Sequence, residues 1–114
     1  MKMLSIIVRP EMVSSVTVAL HGIGVTGMTV TDVRGQGIQK GTRTFYRGVE
    51  YKTDFVQKSK IETVISDSLY EKAIEAVIES ARTGQIGDGK IFVTEVLDAI
   101  RIRTGERGDP SLHS

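Results

Sequence analysis

The chain has 114 residues, 39% of them hydrophobic and 25% charged, with a formal net charge of +1 at pH 7. That length suits a single domain. The absence of cysteine excludes a disulfide framework, a thiolate metal site and a cysteine nucleophile, and no apolar stretch approaches the roughly 18–20 residues of a membrane span. A soluble, cytoplasmic, single-domain protein is therefore expected.

Lys2 to Arg9 is rich in Ile and Val and predicts a strand, ended by Pro10. Glu11 to Gly22 predicts a helix, because Met12, Val16, Ala19, Leu20 and Ile23 recur at helical spacing. Pro10 suits a first helical turn, and Gly22 and Gly24 suit a helix stop. Met28 to Arg34 alternates Thr with Val and predicts a second strand. Gly35 to Asp54 is polar and basic, carries four glycines and shows no apolar periodicity. A loop of about twenty residues inside a compact domain is usually functional or disordered. Phe55 to Ile65 returns to alternation and predicts a third strand. Asp67 or Ser68 can cap the next helix, which runs to about Ala81 and buries Leu69, Ala73, Ile74, Val77, Ile78 and Ala81. Glu71 and Glu75 fall on its wet face, and Gly84 follows its end. Lys90 to Leu97 predicts a fourth strand. Ala99 to Thr104 predicts a short last one, with Ile100 and Ile102 on one side and Arg101 and Arg103 on the other.

The order is β-α-β, a long loop, then β-α-β. That describes an α+β, ferredoxin-like βαββαβ sandwich, an antiparallel sheet with both helices on one face. Apolar residues remain for the other face, so a homo-oligomer that buries sheet faces together is expected.

Charge is unevenly spread. Arg34 to Lys60 carries seven basic residues against two acidic ones, and Ile61 to Ala81 carries five acidic residues against one basic. Either these are two solvated faces, or the basic stretch meets an anionic ligand or partner.

Glycine is abundant, with 12 residues against 2 prolines, and its clusters hold the chemistry. Gly35-Gln36-Gly37-Ile38-Gln39-Lys40-Gly41 fails the dinucleotide spacing, since Lys40 stands at the third glycine position and no helix follows. Gly84 to Lys90 satisfies G-x-x-x-x-G-K, but Ile91 stands where a Walker loop needs Ser or Thr. Here also a helix precedes a strand, the reverse of a P-loop. Gly87 and Gly89 can still converge backbone N–H groups on an anion, with Lys90 as a point charge, or simply form a tight turn. Arg101 and Arg103 on one strand face would repel unless an anion sits between them, and a phosphate chain suits their forks; salt bridges to Glu62 or Asp88 are the alternative. His21 and His113 are the only histidines and neither stands in a triad or metal-ligand spacing. Phe55 and Phe92 are too few aromatic residues for a sheet that stacks RNA bases, so no nucleic-acid partner is expected.

Together these segments resemble the PII nitrogen-regulatory signal proteins, from Met1 to about Glu106. The most specific piece is Thr83-Gly84-Gln85-Ile86-Gly87-Asp88-Gly89-Lys90-Ile91-Phe92-Val93, followed by Ile100-Arg101-Ile102-Arg103-Thr104-Gly105-Glu106. Gly24 to Val30, Gln39-Lys40-Gly41 and Tyr46-Arg47-Gly48-Val49-Glu50-Tyr51 also agree. The resemblance implies one domain over 1–106, with a T-loop at about 36–54 and a flexible tail over 107–114. It implies a homotrimer with a site for ATP or ADP in each inter-subunit cleft. Gly87, Asp88, Gly89 and Lys90 would cradle phosphates, with Arg101 and Arg103 reaching them across the cleft. Gly35, Gly37 and Ile38 would shape the T-loop base beside the nucleotide, and Thr29, Glu62 and Val64 would contact base or ribose. Gln39 would ligate magnesium together with the ATP phosphates and 2-oxoglutarate. Lys58 would pair with a carboxylate of that effector, and Lys40 and Gly41 would add backbone contacts.

Tyr51 matches the tyrosine that is nucleotidylated in some members. Two departures stand out. Ile38 replaces the Arg that many members carry, which bears on ATP versus ADP preference, and Val49 excludes the phosphorylated Ser of some relatives. The implied function is a non-enzymatic sensor of nitrogen, carbon and energy status, acting through the T-loop. Its partner would be an ammonium transporter, glutamine synthetase, nitrogenase or another nitrogen-metabolism protein, and membrane association would come only through a transporter partner. A slow ATPase and a nucleotide-free structural trimer of the same fold are the alternatives.

Overall fold

The structure is a computed structural model and describes residues 1–38, 44–46, 49–51 and 53–113. Strand β1 (Lys2–Val8) leads through a 3-10 turn (Pro10–Met12) into helix α1 (Val13–Gly22). Strand β2 (Thr29–Ile38) follows, then the short strands β3 (Thr44–Tyr46) and β4 (Val49–Tyr51), then β5 (Thr53–Ile65). A second 3-10 turn (Asp67–Leu69) opens helix α2 (Tyr70–Ala81), and strand β6 (Lys90–Glu95) precedes a terminal 3-10 turn (Asp109–Leu112). The main sheet has the order β2-β5-β1-β6 and is antiparallel throughout. This is the ferredoxin-like α+β arrangement expected from the sequence.

Period-2 alternation in β1 places Leu4, Ile6 and Val8 on one face, where each is at most 2% exposed. They pack with Ile61 and Ile65 of β5, Val16 and Leu20 of α1, and Ala73, Val77 and Ala81 of α2. Both helices therefore cover that face. Burying each large aliphatic side chain contributes roughly 1.5–3 kcal/mol, and this shared cluster fixes the register of the central strands. No helix among the described residues is long and apolar enough to cross a membrane.

Four expectations differ in detail. The stretch expected to be irregular from Gly35 to Asp54 is partly strand: β2 and β5 pair as far as Ile38 opposite Thr53, and β3 pairs with β4 from Thr44 opposite Tyr51 to Tyr46 opposite Val49. Since β1 meets β5 only from Ser59 to Ile65, residues 53–58 and 33–38 form a two-stranded ribbon beyond the core. None of its described side chains is fully buried, and a ribbon without a buried face leaves no hydrophobic period to detect.

The side chains of Asp67 and Ser68 do not cap α2. The Asp67 carboxylate instead pairs with the Met1 amine at 3.1 Å, and Leu69 N–H closes the 3-10 turn on Ser66 O. On α2 itself, Ala73, Val77 and Ala81 are buried and Leu69 and Ile74 pack against the core, but Ile78 is exposed. Finally, Ala99 to Thr104 is not a strand. Ile100 makes one isolated bridge to Arg107, and a turn follows it, closed by Gly105 N–H on Arg101 O at 2.7 Å. Ile102 is 99% exposed in that turn and finds no packing surface within the chain.

Candidate functional site

The loop from Arg82 to Gly89 joins α2 to β6, and its path depends on glycine. Gly87 and Gly89 hold φ angles of 103° and 105°, a region that side chains strongly disfavour. At Gly89 a Cβ would also fall well inside contact distance of the Ile7 carbonyl, so the loop seats directly on the end of β1. At Gly87 a Cβ would lie 3.1 Å from Arg9 Nη2 and 3.7 Å from Lys58 Nζ. The bare backbone of Gly87 thus stands against two cations.

Asp88 ties this loop together. Its carboxylate accepts from Thr83 N–H at 2.8 Å, Gly84 N–H at 2.9 Å, the Thr83 hydroxyl, and Arg9 Nη1 at 2.6 Å. The Thr83 hydroxyl and the Arg9 guanidinium, helped by the two amides, hold its pKa well below the usual carboxylate range. Arg9 also donates to Ile86 O at 3.0 Å, and Lys58 donates to Gly87 O at 2.5 Å. Asp88 N–H is itself used within the loop, on Gln85 O. Of the four residues Gly87 to Lys90, Asp88 therefore braces the loop and Gly89 seats it on β1, while Lys90 is exposed.

The sheet register gathers most of the remaining predicted residues on one face. With Leu4, Ile6 and Val8 under the helices, Met3, Ser5 and Ile7 point the other way. Ile7 stands opposite Lys60 and Lys90, Ser5 opposite Glu62, and Glu62 opposite Thr29. Thr29, Lys58, Lys60, Glu62, Val64 and Lys90 thus share the face that no helix covers, and Gly35 lies beside Lys58 on the ribbon, its absent Cβ 3.7 Å from Lys58 Cγ.

They form two groups. At the loop, Lys58 lines a cavity of about 400 Å³ with Arg9, Ile86 and Gly87, while Lys90 lines another of about 510 Å³ with Asp88, Gly89 and, from α2, Ile78 and Ala81. The second group, Thr29, Glu62 and Val64, surrounds a cavity of about 290 Å³ that Met28 also lines. Lys58 and Glu62 are separated by about 13 Å along β5, at roughly 3.3 Å per residue. Lys60 lies between them and pairs with Glu62 at 3.5 Å.

Arg101 and Arg103 are not side by side on a strand. Arg101 pairs with Glu106 at 3.0 Å and donates to Pro110 O at 2.9 Å. Arg103 is exposed on the turn, with no ion pair among the described residues. The partners expected as alternatives are engaged elsewhere: Asp88 with Arg9, and Glu62 with Lys60. Gly37 and Ile38 extend β2 opposite Asp54 and Thr53, and Tyr51 lies in β4 opposite Thr44. Gln39, Lys40 and Gly41 lie outside the described residues. Among those described, no group of three His, Asp or Glu side chains can hold a metal ion.

Arg9, Thr83 and Glu106 were missed as site residues. Arg9 carried a usable signal. It follows β1 directly, and the antiparallel pairing of β1 with β6 must bring it to the loop that precedes Lys90.

Compared with known proteins, residues 1–106 match the family described as "Nitrogen regulatory protein P-II". The chain belongs to the P-II family. It is 54% identical over 112 residues to the nitrogen regulatory protein P-II of Rhodospirillum rubrum and 52% identical to that of Azospirillum brasilense, covering 98% of this chain and 100% of each relative. Identity to the Escherichia coli protein named P-II 1 is 48% over the same length. Among solved structures, Arabidopsis thaliana PII bound to citrate superposes with a TM-score of 0.79 at 42% identity, covering 99% of this chain and 90% of that one. GlnK of B. subtilis superposes with a TM-score of 0.82 at 38% identity, covering 97% of each. The chain is thus a nitrogen-regulatory signal protein of the P-II family with that family's ferredoxin-like fold.

Proposed function

We propose that this P-II chain is a cytoplasmic homotrimeric sensor that binds ATP or ADP, with magnesium and 2-oxoglutarate, and controls a nitrogen-metabolism partner through its T-loop. One observation carries the reading. The backbone of Gly87 lies bare at positive φ beside Arg9 and Lys58, in a loop that Gly89 seats on β1 immediately before Lys90, and such a loop suits phosphate oxygens.

In this reading Gly87 and Gly89 offer amides, and Lys90 adds charge. Arg9 spends its charge on Asp88 and fixes the loop. Lys58, whose ammonium already rests on Gly87 O, is placed to transfer a donor to an effector carboxylate. Bound Mg-ATP would supply a metal centre for the effector, with Gln39 as the residue that the family resemblance assigns to it. The citrate complex of the Arabidopsis relative supports a site for a small polycarboxylate.

The second group, Thr29, Glu62 and Val64, lies too far along β5 to meet the same small phosphate group. It serves base and ribose of a nucleotide whose phosphates rest on the adjacent subunit, and Arg101 and Arg103 reach those phosphates across the cleft. The slow-ATPase alternative lacks a base in the described site. The loop carboxylate, Asp88, is held ionised by four donors and is not poised to take a proton. A nucleotide-free trimer leaves the bare backbone of Gly87 beside Lys58 without a use.

The T-loop partners that fit are an ammonium transporter, glutamine synthetase or nitrogenase, and Tyr51 is the position for nucleotidylation. Calorimetric titration tests the binding. ATP and ADP should each saturate at one per chain and displace one another, and Lys90→Ala should weaken both by at least tenfold, as for a lost charge-assisted contact worth roughly 1.5–3 kcal/mol. Failure of both nucleotides to bind overturns the proposal.

A further inference from the structure

Residues beyond Thr104 fold back on the chain. Arg101 N–H donates to Glu106 O at 2.9 Å, Gly108 N–H to Ala99 O at 3.0 Å, and the Ser111 hydroxyl to Ala99 O at 3.0 Å. The Thr26 hydroxyl then holds Leu112 O at 3.3 Å. Leu112 shares a small cavity with Val64, the same Val64 that lines the Thr29 and Glu62 cavity. The returning segment therefore links Arg101 to that second group of site residues.

The Arg101 guanidinium is anchored at two points on this segment, by the Glu106 carboxylate on Nη1 and the Pro110 carbonyl on Nη2. A guanidinium has five N–H donors, so three remain for a ligand. Its side chain is 21% exposed, against a fully solvated turn at Ile102. Freezing a long side chain before binding removes an entropic penalty that binding would otherwise incur. Arg103 has no such anchor.

From this geometry we infer that Glu106 is a positioning residue for the nucleotide site: with Pro110 O it holds Arg101 in the orientation that receives phosphate, making the segment Gly105–Leu112 part of the site's framework. The inference rests on the nucleotide reading above. Glu106 touches no ligand itself.

The test measures ATP affinity by calorimetry in the full-length protein, together with NMR of the Arg101 side-chain Nη1–H. Glu106→Ala should weaken ATP binding roughly five- to tenfold. Glu106→Gln, which keeps an acceptor at the same place, should restore most of the loss. In an Arg101→Ala background Glu106→Ala should change nothing further. Without nucleotide, the Arg101 Nη1–H signal should be protected in the native chain and lost in Glu106→Ala.

Unchanged or tighter ATP binding in Glu106→Ala overturns the inference, and so does an equal loss in both backgrounds. Absence of binding by the native chain overturns the nucleotide reading instead, and an unprotected Arg101 signal there overturns the anchoring independently of any ligand.

Discussion

Gly89 is the residue on which the candidate site depends most sharply. Its φ of 105° and its approach to the Ile7 carbonyl leave no room for a side chain. Gly89→Ala should cost about 3 kcal/mol or force the loop off β1, seen as a lowered urea midpoint and weakened phosphate binding. Asp88 makes a pH prediction. Its folded pKa is depressed by the Thr83 hydroxyl and by Arg9, so its stabilisation is fully present above the unfolded value. It is lost as pH falls from roughly 4 towards the folded value. The urea midpoints of native and Asp88→Asn protein should differ most at pH 7 and converge in acid; a constant gap would contradict the assignment. Arg9 contributes through the same carboxylate, so Arg9→Ala should weaken ATP binding without removing any charge that the ligand needs.

At the scale of elements, legibility followed burial. Strands β1 and β5 and both helices bury one face, and that face imposes a period of 2 or 3.6 on the sequence. Leu20, Ile61 and Val77 were readable for this reason, and Leu20→Ala should destabilise by roughly 2–5 kcal/mol in chemical denaturation. The ribbon formed by the outer halves of β2 and β5 has no fully buried side chain among those described, so its backbone pairing left no pattern between Gln36 and Asp54. The turn at Ile102 to Thr104 was misread as strand because Ile and Arg alternate there. That alternation does not match a buried and a wet face within one chain, since Ile100 and Ile102 are both exposed.

Of the candidate site, the glycines and Lys90 were legible from local sequence and from the family resemblance. Arg9 becomes legible only once β1 is paired with β6, because its contact with Asp88 is set by the meeting of β1 with the loop before β6; Thr83 meets Asp88 inside the loop itself. Lys58 joins the ribbon to that loop through Gly87 O, and in the proposed sensor this contact is the route from a ligand at the loop to the base of the T-loop.

The whole molecule places two groups of predicted ligand contacts at different positions along one uncovered sheet face. On the proposed reading a single chain offers Lys90 and the glycines to one ligand, and Thr29, Glu62, Val64 and Arg103 to another. The proposed sharing of sites between subunits is tested by complementation. Lys90→Ala and Arg103→Ala homotrimers should each bind ATP weakly. Refolding the two variants together should restore native affinity at a fraction of the sites, whereas purely intrachain sites would show no recovery.

The central claim is that one protein couples nucleotide and effector, so that each changes the affinity for the other by the same factor. Calorimetric titration of 2-oxoglutarate into the native protein, with and without saturating Mg-ATP, measures that coupling directly. Binding that appears with Mg-ATP and is abolished without it is the predicted result; 2-oxoglutarate affinity that is indifferent to Mg-ATP would contradict the account.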